Sequence, residues 1–269
     1  MNLVVPIDFS GHSKEAALYA ASMAKARQGN LHLVHVLVPM EEEPDYLPVA
    51  TLNAKYNTVS EVFQLQELIR RTKDVRTSCD LVPGDIAKQI IKSAKRFKAD
   101  LIVMGTQGNS GLRKHLYGSH TAAVMQESTI PVLALPEGSK FRPFRRMVYA
   151  TDYNYSNVQD VRDIANIARH FDAEISIIHI NKRKAPAWTR EGMREDFEQL
   201  IRSQVDYSNI TFDEYDNTDT AEGLCELLQL RYADLLVIPN ERKSLVEKFT
   251  GRSEREEFLF DLDIPLLVV

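Results

Sequence analysis

Residues 3–36 (LVVPIDFSGHSKEAALYAASMAKARQGNLHLVHV) align without a gap to residues 147–180 (MVYATDYNYSNVQDVRDIANIARHFDAEISIIHI), at an offset of 144. Asp8 pairs with Asp152, Ala21 with Ala165, Ala24 with Ala168 and His35 with His179. Further along, Ala99-Asp100-Leu101-Ile102-Val103 matches Ala233-Asp234-Leu235-Leu236-Val237, and Ile130-Pro131-Val132-Leu133 matches Ile264-Pro265-Leu266-Leu267, both at an offset of 134. The change of offset means that the second copy has lost about ten residues in its middle. A period of 20–50 residues would mark a solenoid, whereas this one is the size of a domain. The sequence therefore reads as two copies of one fold, residues 1–140 and 141–269. They are joined through Pro136-Glu137-Gly138-Ser139-Lys140-Phe141-Arg142-Pro143, a turn-forming, charged stretch of linker type.

Within the first copy, short apolar runs alternate with helical patterns. Leu3–Ile7, Leu31–Val36, Arg76–Leu81, Leu101–Met104 and Val132–Leu135 read as strands. Ser13–Arg27 carries Ala17, Leu18, Ala21 and Ala24 at helical spacing, with Ser10 or Ser13 as N-cap. Glu61–Thr72, Asp85–Phe97 and residues 119–127 read as further helices. Strands separated by helices favour a parallel sheet covered on both faces. The fold class is thus α/β: two repeated three-layer α/β sandwich domains, each with a mostly parallel five-stranded sheet.

Composition narrows the function. The 269 residues are 44% hydrophobic and 26% charged, which excludes a disordered or collagen-like chain. A net charge of -5 supplies no basic field to recruit nucleic acid or anionic lipid. Two cysteines, Cys79 and Cys225, can build neither a disulfide framework nor a structural zinc site. No apolar run is long enough to span a bilayer, and Met1-Asn2-Leu3-Val4 lacks the basic start of a signal peptide. These features give a cytoplasmic expectation.

Open parallel sheets bind ligands at the carboxyl ends of their strands. Three features of the first copy gather there. Asp8 follows strand one directly, Gly105 and Gly108 follow strand four, and Gly118-Ser119-His120 opens the last helix. The spacing, Gly105 to Gly108 and then nine residues to Gly118, reads as a phosphate cradle. Glycines bring backbone N–H donors close to an anion, and a helix start adds its positive dipole end. Asp8 is placed to accept from a ribose hydroxyl or to help hold a divalent cation. No P-loop and no dinucleotide glycine fingerprint is present.

The order Val5-Pro6-Ile7-Asp8-Phe9-Ser10, Leu31–Val36, G-x2-G-x9-G-S and Ile130-Pro131-Val132 resembles the universal stress proteins, and the duplication resembles their tandem two-domain members. The resemblance implies binding of ATP or AMP, with or without Mg²⁺. Pro6, Ile7 and Asp8 would lie at the adenosine end, with the backbone of Val36 near adenine. Met104 and Gly105 would border the ribose, and Gly108, Gly118, Ser119 and His120 would hold phosphates. It also implies pairing through the last strands, Val132–Leu135 and Leu266–Val269, as a homodimer or an intrachain pseudo-dimer.

The second copy departs from this pattern. Pro239 stands for the first glycine and Arg242 for the second, while Gly251 is followed by Arg252, Glu254 and Glu256. The lost N–H donor, the bulk and the acidic charge make this motif degenerate for ATP. Split between the copies, glycine divides 8 to 3 and net charge +2 to -7.

Plainer readings stand beside these. Asp8 and Asp152 suit helix caps, and Ser156-Asn157-Val158-Gln159 fits a capping box. His35 and His179 read as hydrogen-bonded structural residues, Cys79 and Cys225 as inert apolar ones, and Lys114 and His115 as solvated or as phosphate contacts. The favoured function is a stress-response adenine-nucleotide sensor or regulator with one competent site, in the first copy, read by an unidentified protein partner. A slow ATPase using Asp8, Lys114 and His115 is the second reading. An interaction scaffold without nucleotide is the third.

Overall fold

Leu3, Val4 and Val5 are wholly buried in β1 (Asn2–Pro6), as expected of a strand flanked on both sides and covered on both faces. The structure, a computed structural model, describes residues 1–37, 49–106, 119–151, 153, 157–181, 187–217, 223–224, 226–228, 233–240 and 264–269. It divides into two compact units, Met1–Phe141 and Arg142–Val269.

In the first unit β1 is followed by α1 (Gly11–Ala26), β2 (Asn30–Leu37), α2 (Val49–Lys73), β3 (Thr77–Pro83), α3 (Ile86–Phe97), β4 (Leu101–Gly105), α4 (Ser119–Glu127) and β5 (Val132–Leu135). The strands lie in the order β3-β2-β1-β4-β5 and the neighbours run parallel. The chain steps outward through β2 and β3, then returns to the other side of β1. Right-handed crossovers then place α1 and α2 on one face and α3 and α4 on the other. The contacts agree, since α1 packs on α2 and α3 on α4. The reversal of strand order between β1 and β4 is the switch point at which such sheets take ligands.

The second unit repeats the scheme with β6 (Arg146–Ala150), α5 (Val158–Arg169), β7 (Glu174–Asn181), α6 (Ala187–Gln204), β8 (Ile210–Asp216), β9 (Leu235–Ile238) and β10 (Leu266–Val268), ordered β8-β7-β6-β9-β10. Even the register recurs. Leu3 faces Leu31 in the first unit and Met147 faces Ile175 in the second; Ile102 faces Val132 and Leu236 faces Leu266. Leu31 faces Thr77 but Ile175 faces Ile210, so the missing residues fall between the second and third strands. There α2 has 25 residues and α6 has 18.

The repeated Ala-Asp pair has a structural task. The Asp100 carboxylate accepts from the Asn2 backbone N–H at 2.7 Å, and the Asp234 carboxylate accepts from that of Arg146 at 2.9 Å. Each aspartate ties the start of a unit's first strand to the start of its fourth.

Two local readings need correction. Helix α2 begins at Val49, well before Glu61, because good helix formers (Ala50, Leu52, Ala54, Lys55) alternate there with weak ones and leave no clear start signal. The N-cap of α1 is Ser10, whose hydroxyl accepts from Ser13 N–H at 3.2 Å; Asp8 is not the cap. In the second unit Asn157 sits at the N-cap of α5 without a side-chain cap bond, its amide donating instead to Asp160, while Ser156 of the expected capping box lies outside the described residues. Among the described residues no helix is long and apolar enough to cross a membrane.

Candidate functional site

The carboxyl end of the first unit's sheet is assembled by short polar links between strand ends and helix starts. After β1, Ile7 extends the ladder, its N–H donating to Val34 O at 2.8 Å. Asp8 then accepts from the Ser10 N–H at 3.0 Å and the Ser10 hydroxyl at 2.5 Å. Partial burial pushes the Asp8 carboxyl up, but hydrogen bonds from Ser10 and Ser13 outweigh it and hold the pKa below the usual aspartate value. Asp8 is therefore an exposed, ionised acceptor fixed one step ahead of α1.

Phe9 turns the chain through the left-handed region (φ 63°) and lays its ring 4.9 Å from that of His35. His35 Nδ1 lies 2.7 Å from Ile7 O, an N–H···O bond in the tautomer protonated there. This histidine is structural: it fastens the end of β2, and with it Val36, beside Ile7 and Asp8. Pro6 ends β1, and Val36 is half-buried opposite Val82 on β3.

On the other side of β1, Met104 is buried and Gly105 ends β4. A Cβ on Gly105 would stand 3.3 Å from both the Cβ and the carbonyl oxygen of His12, so this glycine lets the first turn of α1 approach β4. The Gly105 carbonyl accepts from the Thr121 hydroxyl at 3.0 Å, which pins the start of α4 to the end of β4. Ser119 and His120, in that same first turn, are exposed. A shallow depression beside Gly105 is lined by His12, Glu15, Leu135 and Pro136. Thus Pro6, Ile7, Asp8, Val36, Met104, Gly105, Ser119 and His120 all stand at one end of one sheet. Gly108 and Gly118 lie outside the described residues, as do Lys114, His115, Asp152, Ser156, Cys225, Arg242, Gly251 and Arg252.

The electrostatics of this end favour an anion. Each helix of the unit starts at the carboxyl end of a strand, and none of α1, α2, α3 or α4 has an acidic residue in its first turn. At α3 the Asp85 carboxylate caps the helix, accepting from the Lys88 N–H at 3.0 Å, whereas no first-turn carboxylate answers the dipole of α4. Among the described residues no group of three or more His, Cys, Asp or Glu is arranged to hold a metal. Cys79 offers no nucleophile at neutral pH, because burial pushes its thiol up to about 11.

The second unit handles the same place differently, in a way that sequence reading missed. Positions that are Val5, Ile7, Ser13 and Ala16 in the first unit are Tyr149, Thr151, Asn157 and Asp160 in the second. Tyr149 OH donates to Asp160 at 2.7 Å, the Asn157 amide donates to the same oxygen at 3.0 Å, and Thr151 bonds Asn157 at 3.0 Å. Asp160 occupies the first turn of α5, where its charge answers the helix dipole internally. Buried Pro239 stands where the first unit has Gly105. The signal was the change of residue class at four positions within a gapless repeat.

Comparison with known proteins agrees with this architecture. The sequence model of the universal stress protein family matches residues 1–136. A universal stress protein of Methanocaldococcus jannaschii is 31% identical over 148 residues, covering 51% of this chain and 83% of that protein. One of Thermus aquaticus is 33% identical over 135 residues, covering 49% of this chain and 95% of that protein. The solved structure of a universal stress protein from Archaeoglobus fulgidus shares the fold, with a TM-score of 0.70 at 17% identity over 99% of this chain and 95% of that one. With its first half matched by the family model and both halves built on one topology, the chain belongs to the universal stress protein family.

Proposed function

We propose that the first unit binds an adenine nucleotide, ATP or AMP, with or without Mg²⁺, and that the chain acts as a stress-response sensor or regulator. In this reading the phosphates lie at the start of α4, against Ser119, His120 and the glycines Gly108 and Gly118. The adenosine end lies toward Pro6, Ile7, Asp8 and Val36, with Met104 and Gly105 between. The observation that carries the reading is the start of α4. Its first turn holds no acidic residue, presents Ser119 and His120 to solvent, and is pinned to the end of β4 through Thr121. A helix N-terminus with exposed first-turn residues at the carboxyl end of a sheet suits a phosphate group. The second unit, with Asp160 at the equivalent end of its first helix and Pro239 in place of a glycine, is read as a partner domain without nucleotide.

Calorimetry of the full chain with ATP and with AMP, each with and without Mg²⁺, tests this. The expected result is one nucleotide per chain, and a loss of at least ~10-fold in affinity in Ser119→Glu, where a carboxylate meets the phosphates. Two nucleotides per chain would overturn the assignment of the second unit. Binding unaffected by Ser119→Glu would remove the site from α4.

A further inference from the structure

At the amino end of the first unit's sheet, away from the nucleotide-binding end, lies a second constellation. His32, the third residue of β2, is buried. Its Nδ1 stands 2.7 Å from the hydroxyl oxygen of Ser78 on β3, and its Nε2 stands 2.9 Å from Asp80 Oδ2 two residues further along that strand. The ring is stacked on Phe97 with centroids 4.6 Å apart, which fixes its plane. Asp80 is also held by Arg96 of α3. Ser78 itself is exposed. We propose that Ser78, with His32 as its base, is an acyl-accepting nucleophile for activated esters.

The geometry supplies each part. A neutral imidazole with Nε2–H toward Asp80 leaves Nδ1 free to accept the Ser78 proton. The Nε2–H is not aligned into a formed hydrogen bond, yet the Asp80 carboxylate, 2.9 Å away, stands where it answers the imidazolium charge. Burial, with the nearby Arg96 charge, lowers the His32 pKa and keeps the ring neutral and able to act as a base. An oxyanion donor is also at hand. The bonds Leu31 N–H to Arg76 O and Gly84 N–H to Leu37 O fix the alternation of the β2–β3 ladder. Arg76, Ser78 and Asp80 therefore face β2, and the Cys79 N–H points out of the open edge of this unit's sheet, next to the nucleophile. In the reaction Ser78 Oγ bonds the acyl carbon as its proton passes to His32 Nδ1. The C–O or C–S bond to the leaving group then breaks, and His32 returns the proton to the departing phenol or thiol.

The experiment is acetylation of the full chain by p-nitrophenyl acetate, with nitrophenol release followed in time and the acetyl group located by peptide mass spectrometry. A stoichiometric burst with the adduct on Ser78 is expected, absent in Ser78→Ala, which removes the hydroxyl bonded to His32 Nδ1. His32→Gln is expected to slow the burst by ~100-fold. Asp80→Asn is expected to lower the pH midpoint of acetylation as well as its rate, which loss of packing alone would not do. A burst unchanged in Ser78→Ala, or adducts confined to other residues, overturns the proposal. Because the readout uses no nucleotide, it stands or falls apart from the reading of the carboxyl end.

Discussion

Phe9 and Tyr153, at matching positions of the two units, share one uncommon backbone conformation, with φ 63° and 61°. Each lays its ring on the histidine near the end of the second strand, His35 at 4.9 Å and His179 at 4.8 Å. Each histidine in turn bonds the carbonyl of the residue after the first strand, Ile7 at 2.7 Å and Thr151 at 2.8 Å. A bulky residue at positive φ costs roughly 1–3 kcal/mol and persists only where its surroundings hold it. Here the neighbouring imidazole does so in both units, stacked on Tyr153 and tilted against Phe9. His35→Ala should therefore destabilise the first unit by about 1–3 kcal/mol, since it strands a carbonyl and unseats a ring. Urea unfolding that separates the two units checks this, with the second unit's transition unmoved.

Asp8 gives a pH prediction. Its folded pKa lies below the usual value because Ser10 and Ser13 hydrogen bonds outweigh the effect of burial. A depressed carboxylate contributes stability that is fully present above the unfolded pKa and fades as pH falls through the folded one. In an NMR titration, the Asp8 carboxyl midpoint should rise in Ser10→Ala. The acid limb of the first unit's stability should move to higher pH with it.

Gly105→Ala should be destabilising by about 1–3 kcal/mol, because the added methyl meets His12 backbone as well as side chain at 3.3 Å. A thermal melt measures the loss. His12→Ala keeps both the Cβ and the carbonyl that the added methyl meets, so the double variant should recover none of the difference.

Tyr149→Phe removes the hydroxyl that donates to Asp160 from a wholly buried ring. The expected cost is about 1–3 kcal/mol, confined to the second unit, because a part-buried carboxylate loses one of its donors. In the first unit the equivalent residue is Val5, wholly buried among apolar neighbours. Val5→Tyr, lacking an acceptor at Ala16, should be worse tolerated than Tyr149→Val.

The alternation of strands and helices was legible because buried parallel strands announce themselves as apolar runs. Leu101, Ile102 and Val103 are all inaccessible in the structure. The first half of α2 was not, since the weak helix formers Val49, Thr51, Asn53, Asn57 and Thr58 interleave with Ala50, Leu52, Ala54 and Lys55 and blur its start. At the candidate site the gapless repeat located Asp8 and His35, but not what they hold. Asp8 bonds two residues ahead, within reach of a local reading, and yet it competes with Ser10 for the same helix start. Ser78, His32 and Asp80 meet only through the β2–β3 register across 46 and 48 positions of chain, which no local pattern encodes. Asn157 is the mirror case: a residue type that suits a cap was drawn instead into bonds with Asp160 and Thr151.

The recurrence of register has an engineering meaning. Because Leu3 sits on Leu31 as Met147 sits on Ile175, residues 3–36 and 147–180 are cassettes of equal length with interchangeable strand spacing. A chimera carrying the first cassette in the second position would bring in a helix start without an acidic residue in place of the one that carries Asp160. The deletion between β7 and β8 marks where such grafts can change length without disturbing the central strands.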